Sequence, residues 1–179
     1  RPARARKPVE VTITSEGPRW DGEDNPFIDE YRYEGLVAQV YDLWFPPGAE
    51  YEDEPFYRRA IELGEGPALE IACGTGRLLV PLLQAGLDVE GTDISADMLA
   101  ICKSKGESVG LRPRLHAGAM QTMELGHKYR TIIIPYCSFQ LLLNRDDAMA
   151  ALVRFHKHLE PGGKLYVSCL LYTSPSPRD

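Results

Sequence analysis

No stretch of this chain approaches eighteen consecutive apolar residues, so no membrane-spanning helix is expected. Arg1, Arg4, Arg6 and Lys7 open the chain without an apolar core behind them; no secretory leader is read, and a cytoplasmic protein is the expectation. Positive charge is scarce. Lys and Arg number 20 against 26 Asp and Glu, a net charge of −6, which argues against a nucleic-acid backbone as the main partner. Cys73, Cys102, Cys137 and Cys169 stand far apart, with no C-x-x-C pair. That spacing excludes a zinc site or a disulfide framework as the organising device, and no metal is expected. Three of the four fall at or near strand ends, where a small apolar residue packs. Cys137 remains a candidate nucleophile. No internal repeat is present.

What is present organises itself around Ala68-Leu-Glu70-Ile-Ala72-Cys-Gly74-Thr-Gly76 and the Leu-rich pattern that follows. A short apolar run, a glycine turn and a helix start read as the opening of a βαβ unit. Gly74 and Gly76 lack a Cβ, so the turn can take positive φ and admit a ligand close to the backbone. A second strand ends at Asp93, nineteen residues beyond Gly74. An acid about 20 residues on is where Rossmann-type sites hold two ribose hydroxyls. Asp93 could instead cap the next helix, but Ser95 is better placed for that. The third glycine of a dinucleotide fingerprint is missing, Leu79 standing there. A nucleoside without phosphates is therefore favoured over a pyrophosphate.

The chain of 179 residues is long enough for one domain with a real core. Residues 1–28, with Pro2, Pro8, Pro18 and Pro26, are read as an irregular arm, solvated or, less readily, phosphate-binding. Helical periodicity from Asp29 to Trp44 places Tyr33, Leu36, Val37, Val40, Tyr41 and Trp44 on one face, and Pro46-Pro47-Gly48 ends it. A second helix is expected over 55–63, stopped by Gly64. Strands are then expected at 67–73, 87–92, 112–117, 131–136 and 164–170. Helices are expected at 77–85, 96–105 (closed by Gly106) and 145–159 (begun by Asn144). The alternation predicts an α/β fold: a doubly wound, mostly parallel sheet sandwiched between helical layers, with ligands at the carboxyl ends of its strands.

Glu70-Ile-Ala-Cys-Gly-Thr-Gly76 with Gly91-Thr-Asp93-Ile-Ser95-Ala-Asp97-Met98-Leu99 resembles the first two motifs of the class I S-adenosylmethionine-dependent methyltransferases. Leu159-Glu-Pro161-Gly162-Gly163-Lys164-Leu165 is similar to the turn before that family's fifth strand, and the resemblance spans roughly residues 30–170. It implies a Rossmann-like fold with N-terminal lid helices, S-adenosyl-L-methionine as cofactor and S-adenosyl-L-homocysteine as product. It implies methyl transfer to an O, N or C atom of a small molecule; alternatives are cofactor binding without catalysis, or another use of the sulfonium such as cyclisation or hydrolysis. By this resemblance the cofactor-binding residues are Tyr41, Glu70, Ala72, Gly74, Gly76, Asp93, Ile94, Met98, Ala119, Met120 and Pro135. Glu70 is the first-motif acid or a cap of the turn's N–H groups. Ile94 and Met98 sandwich the adenine or fill the core. Tyr41, beside Asp42, offers an aromatic face to the sulfonium.

Two motifs depart from the family's pattern. Gly118-Ala119-Met120 has alanine where an Asp often accepts from the adenine amino group, and Tyr129-Arg130-Thr131 replaces an acid before the fourth strand. Pro135-Tyr136 keeps half of the Asn-Pro-Pro-Tyr type of motif, too little to name a nucleobase or peptide amide as acceptor. His116, His127, His156 and His158 are the candidate bases, with Tyr136 as an orienting hydroxyl; none stands out as catalytic. The family's sheet has seven strands, whereas five are read here. The expectation is a domain over 29–170, with lid helices at 29–64, that lacks the last strands. Residues 171–179, which resemble sequencing-adapter read-through, are expected to be foreign to the native chain. An open sheet edge would favour homodimerisation.

Overall fold

The computed structural model describes residues 11–14, 17–20, 33–46, 49 and 51–170, the first two segments by their backbone alone. The chain divides into two units, residues 1–32 and 33–179. In the first, β1 (Val11–Thr14) and β2 (Gly17–Trp20) form an antiparallel pair with Val11 opposite Trp20. The arm read as irregular thus contains a hairpin. Val11-Thr12-Ile13-Thr14 is a β-branched run that strand geometry favours, and Pro18 sits on a two-stranded ribbon where a missing donor is tolerated. The residues read as a foreign tail lie outside those described.

In the second unit, β3 (Ala68–Ile71), β4 (Val89–Asp93), β5 (Leu115–Ala117), β6 (Tyr129–Ile134) and β7 (Leu159–Val167) form one parallel sheet of order β5-β4-β3-β6-β7. The chain winds outward from β3 in one direction, then returns to add β6 and β7 on the other side. The switch point lies between β3 and β6. Side chains of β3 alternate between two cores. Ala68 joins Leu79, Leu82, Val89 and Cys102 on one face, while Leu69 and Ile71 join Ile132, Ile134 and Phe155 on the other. Cys73 is a packed thiol at a strand end, as expected, and Cys102 packs from helix 96–108, whereas Cys137 is half-buried and Cys169 is exposed, so strand-end position alone does not bury a thiol.

Helices α2 (Glu54–Gly64), α3 (Leu79–Gln84) and α4 (Ala96–Ser108) contribute to the first core, and α5 (Arg145–His158) to the second, giving the three-layer sandwich. Asn144 caps α5 through Asp146 N–H at 2.8 Å, and Ser95 caps α4 through Met98 N–H at 3.2 Å. Gly106 does not end α4. A Cβ there would meet Pro113 Cγ at 2.4 Å, so this glycine serves close packing, and the helix runs on to Ser108. The ladder between β6 and β7 becomes regular only from Thr131 opposite Lys164, because the Pro161-Gly162-Gly163 turn shifts the register.

The first helix is shorter than its periodicity predicts: α1 spans Leu36–Tyr41 within the described residues. Leu36, Val37 and Trp44 are exposed, and Ala38 is its buried residue. Periodicity fails here because α1 is held by polar ties at the carboxyl end of the sheet rather than laid on a sheet face. Gly35 N–H donates to Asp97 Oδ2 at 2.6 Å and Ser95 Oγ donates to the Tyr33 carbonyl at 2.7 Å.

Candidate functional site

The turn after β3 and the end of β4 meet at the carboxyl edge of the sheet. Gly74 N–H donates to Asp93 Oδ2 at 2.8 Å, and Ser95 N–H donates to Asp93 Oδ1 at 2.9 Å. Asp93 therefore holds the glycine turn and the start of α4 together, while Ser95 caps that helix. Burial raises the Asp93 carboxyl, and these backbone N–H groups oppose the rise.

The two turn glycines do different work. Gly74 has φ +54 and nothing within 4 Å of where a Cβ would stand, so it leaves the turn open to a ligand. Gly76 has φ +80, and a Cβ there would lie 2.6 Å from Cys102 Sγ; close packing onto α4 demands it. Ala72, between strand and turn, also has positive φ, at 57.

Glu70 is 2% exposed, and its Oε2 has no hydrogen-bond partner. Desolvation pushes its carboxyl well above the usual carboxylate range, with Cys102 adding to the rise and Arg77 opposing it. The turn N–H of Gly74 goes to Asp93, so capping that donor is not the role of Glu70. A buried carboxylate with an orphaned oxygen beside an open glycine turn suits a ligand that brings hydrogen-bond donors or a cation.

Around this core stands a group of aromatic rings. Tyr41 packs edge-on against Tyr33 at 5.5 Å and tilted by 33° against Phe45 at 5.1 Å, and Phe45 meets Tyr136 edge-on at 5.0 Å. Burial, with Tyr33 and Tyr136 nearby, pushes the Tyr41 hydroxyl up to about 12, so it stays a neutral donor. Asp42 accepts from Thr75 Oγ1 at 2.6 Å and pairs with Lys105 at 3.0 Å. Met98 is buried in the core, whereas Ile94 is 54% exposed beside Asp93, so the two residues read together part company. Ala119 accepts from Thr122 N–H at 3.0 Å through its carbonyl, Met120 packs with the second core, and Pro135 is buried at the end of β6.

The histidines go elsewhere. His116 and His127 reach the buried Glu90 at 2.6 and 3.1 Å, and Tyr129 donates to Glu90 Oε2 at 3.0 Å. His158 is buried, accepting Leu125 N–H at Nε2 (2.8 Å) with Nδ1 2.7 Å from the Arg154 carbonyl, and His156 is exposed on α5. Cys137 lies 3.7 Å from Ser168 Oγ, with no base beside it in that contact. Sequence reasoning passed over Arg77, whose guanidinium binds both oxygens of Asp53 and lies against three rings. Its signal was there: a cation just before a helix start opposes the helix dipole and needs a partner.

A parallel sheet with a nucleoside-type acid and an open glycine turn at its switch point defines a Rossmann-like cofactor-binding domain. A family described as the methyltransferase domain matches residues 68–163, and the chain belongs to the S-adenosylmethionine-dependent methyltransferases of class I. The dTDP-3-amino-3,6-dideoxy-alpha-D-glucopyranose N,N-dimethyltransferase of Streptomyces fradiae is 33% identical over 75% of this chain and 53% of its own length. The crystal structure of DesVI from Streptomyces venezuelae superposes with a TM-score of 0.65 at 28% identity, covering 79% of this chain and 60% of that one. The glycopeptide N-methyltransferase MtfA, solved with S-adenosyl-L-homocysteine, has a TM-score of 0.57 at 25% identity over 70% of this chain and 58% of its own. The chain spans about half the length of the curated relatives it matches. The cofactor is S-adenosyl-L-methionine, and the orphaned Glu70 oxygen and the open cradle at Gly74 fit it.

Proposed function

We propose that the protein transfers a methyl group from S-adenosyl-L-methionine to the amino nitrogen of a small molecule, an amino sugar being the acceptor class favoured. The relative from Streptomyces fradiae, named for N,N-dimethylation of an amino sugar, carries this reading. The chemistry of the site agrees with it. A neutral amine attacks through its own lone pair and sheds a proton afterwards, so it needs no strong base, whereas a hydroxyl must be deprotonated. The histidines engage Glu90, pack in the core or face solvent, and Tyr41 holds its proton.

The bound cofactor supplies a methyl carbon on a cationic sulfur. The chain supplies binding, orientation and exclusion of water. In this proposal Asp93 takes the ribose hydroxyls, exchanging its bond to Gly74 N–H for them. Glu70 answers the methionine ammonium, which would draw its carboxyl back toward the charged form. The Gly74 turn accepts the body of the cofactor. Ile94, exposed beside Asp93, would serve as an apolar wall for the adenine, and the Tyr41 ring would offer an aromatic face to the sulfonium. Ala119 offers backbone groups only to the adenine edge.

The test is to incubate the protein with S-adenosyl-L-methionine and dTDP-linked amino sugars, with hydroxyl analogues alongside, and to follow S-adenosyl-L-homocysteine and methylated product by mass. Product from amines alone supports the reading. Product from hydroxyl analogues alone rejects nitrogen as the acceptor. Saturable cofactor binding without any product would leave a binding domain.

A further inference from the structure

One cation joins the loops after two neighbouring strands, β3 and β6, to a segment outside the sheet. Arg77 follows the glycine turn, and its Nη1 and Nη2 donate to Asp53 Oδ1 and Oδ2 at 2.7 and 2.8 Å. The guanidinium carbon lies 4.8 Å from the Tyr51 ring centroid, 5.4 Å from that of Tyr136 and 5.7 Å from that of Phe45. Phe45 touches both Tyr136 and Tyr41. The segment before α2, the glycine turn and the loop after β6 are thereby tied at a single point.

Two features show that this arrangement is held against a cost. An Arg just before a helix start opposes the helix dipole. Tyr136 and Cys137 carry φ of 53 and 61, a left-handed conformation that side chains other than glycine avoid, and Tyr136 presents its ring to Arg77 from there. The Arg77 side chain is 10% exposed and that of Asp53 35%, so the guanidinium end of this two-pronged, charge-assisted bond is shielded from water while the carboxylate end is partly open. Asp42 makes a second, smaller tie, to Thr75 of the same turn and to Lys105.

We infer that Arg77 is a positioning residue: paired with Asp53 it latches the segment carrying Tyr41, Phe45 and Tyr51 over the Gly74–Asp93 site and sets the Tyr136 ring, so that bound cofactor leaves only when the pair opens. This rests on the cofactor reading above. The latch acts on release more than on capture. The closed segment slows dissociation, and the cofactor enters while the segment is open.

The experiment loads tritium-labelled S-adenosyl-L-homocysteine onto the unmodified chain, Arg77→Met, Asp53→Asn and the double variant, then chases with unlabelled compound. Each single substitution is expected to raise the dissociation rate about tenfold at unchanged binding stoichiometry, the scale of one charged hydrogen bond. The double variant is expected to be no faster than either single, because both remove the same pair. Arg77→Lys, which keeps the charge but loses the fork, is expected to fall between. General damage to the fold would lower stoichiometry instead of speeding release. Asp53 makes no capping bond to α2, so Asp53→Asn decides the matter should Arg77→Met fold poorly. Dissociation rates within twofold of the unmodified chain, or single effects that multiply in the double, overturn the latch alone. No uptake by the unmodified chain overturns the cofactor reading with it.

Discussion

Gly74, Gly76, Glu70 and Asp93 meet at one turn, yet substitutions at them should fail in different ways. Gly74→Ala meets open space and adds strain from its positive φ alone, about 1–2 kcal/mol, while placing a methyl where the ligand must lie. Gly76→Ala carries the same strain and drives a methyl into Cys102 Sγ, so about 2–4 kcal/mol of stability should go. Urea denaturation and calorimetric titration with S-adenosyl-L-homocysteine separate the two: the first variant should stay folded and bind at least about tenfold more weakly, the second should lose stability. Asp93→Ala should abolish saturable binding in the same titration. Glu70 gives a pH signature. Its folded-state pKa is raised, so the stability it contributes is complete below the unfolded value near 4.3 and fades as pH rises toward the folded value. Glu70→Gln, which does not titrate, should therefore gain melting temperature relative to wild type as pH rises above about 5 in the absence of cofactor. Parallel profiles would show that Glu70 ionises freely in the fold.

At the scale of elements, Glu90 adds side-chain ties from β4 to its neighbour β5 and, across β3, to β6. It is buried, and it gathers His116 from β5, His127 from the loop before β6, Tyr129 from β6, and Arg114 at 3.2 Å. Burial alone would raise its carboxyl, but the bonds from His116 and Tyr129, with the charges of Arg114 and His127, outweigh that and hold it below the ordinary value. The sign is the reverse of Glu70. Its contribution is present above the unfolded pKa and is lost as pH falls through the lower folded value. Glu90→Gln should cost about 2–4 kcal/mol at neutral pH, because an amide cannot accept from all four partners. The deficit should shrink in strong acid, and urea melts at pH 7 and at about pH 2 would register it. An equal deficit at both would mean that the cost is packing rather than charge. Helix α1 is the opposite case: isolated polar bonds at Gly35, Tyr33 and Asp42 hold it, while Leu36 and Val37 stay exposed.

For the whole molecule, one sheet buries two cores, and each must be filled for the strands' carboxyl ends to align. Phe155 is fully buried in the core under α5, against Phe139 at 6.1 Å. Phe155→Ala should remove about 3–5 kcal/mol, a large part of the stability of an ordinary domain. Thermal unfolding should show the loss, and cofactor should recover part of it by mass action if the site survives at the far end of the sheet. No recovery at saturating S-adenosyl-L-homocysteine would mean that the second core also supports the site.

The sequence by itself determined what local rules govern. The alternation of apolar runs with helix starts and stops set the parallel sheet between helical layers, the Ser95 and Asn144 caps, and the meeting of Gly74 with Asp93, because spacing in a βαβ unit dictates where a turn and the next strand's end converge. Tertiary structure alone decided what depends on residues far apart in the chain. His116 and His127 looked unremarkable until the sheet brought them to Glu90, and Arg77 found Asp53, Tyr51 and Tyr136 only across separate loops. Periodicity misplaced α1 for the same reason: an apolar stripe predicts a buried face only where an apolar surface waits for it, and at the carboxyl edge of the sheet α1 is tied down by polar bonds instead.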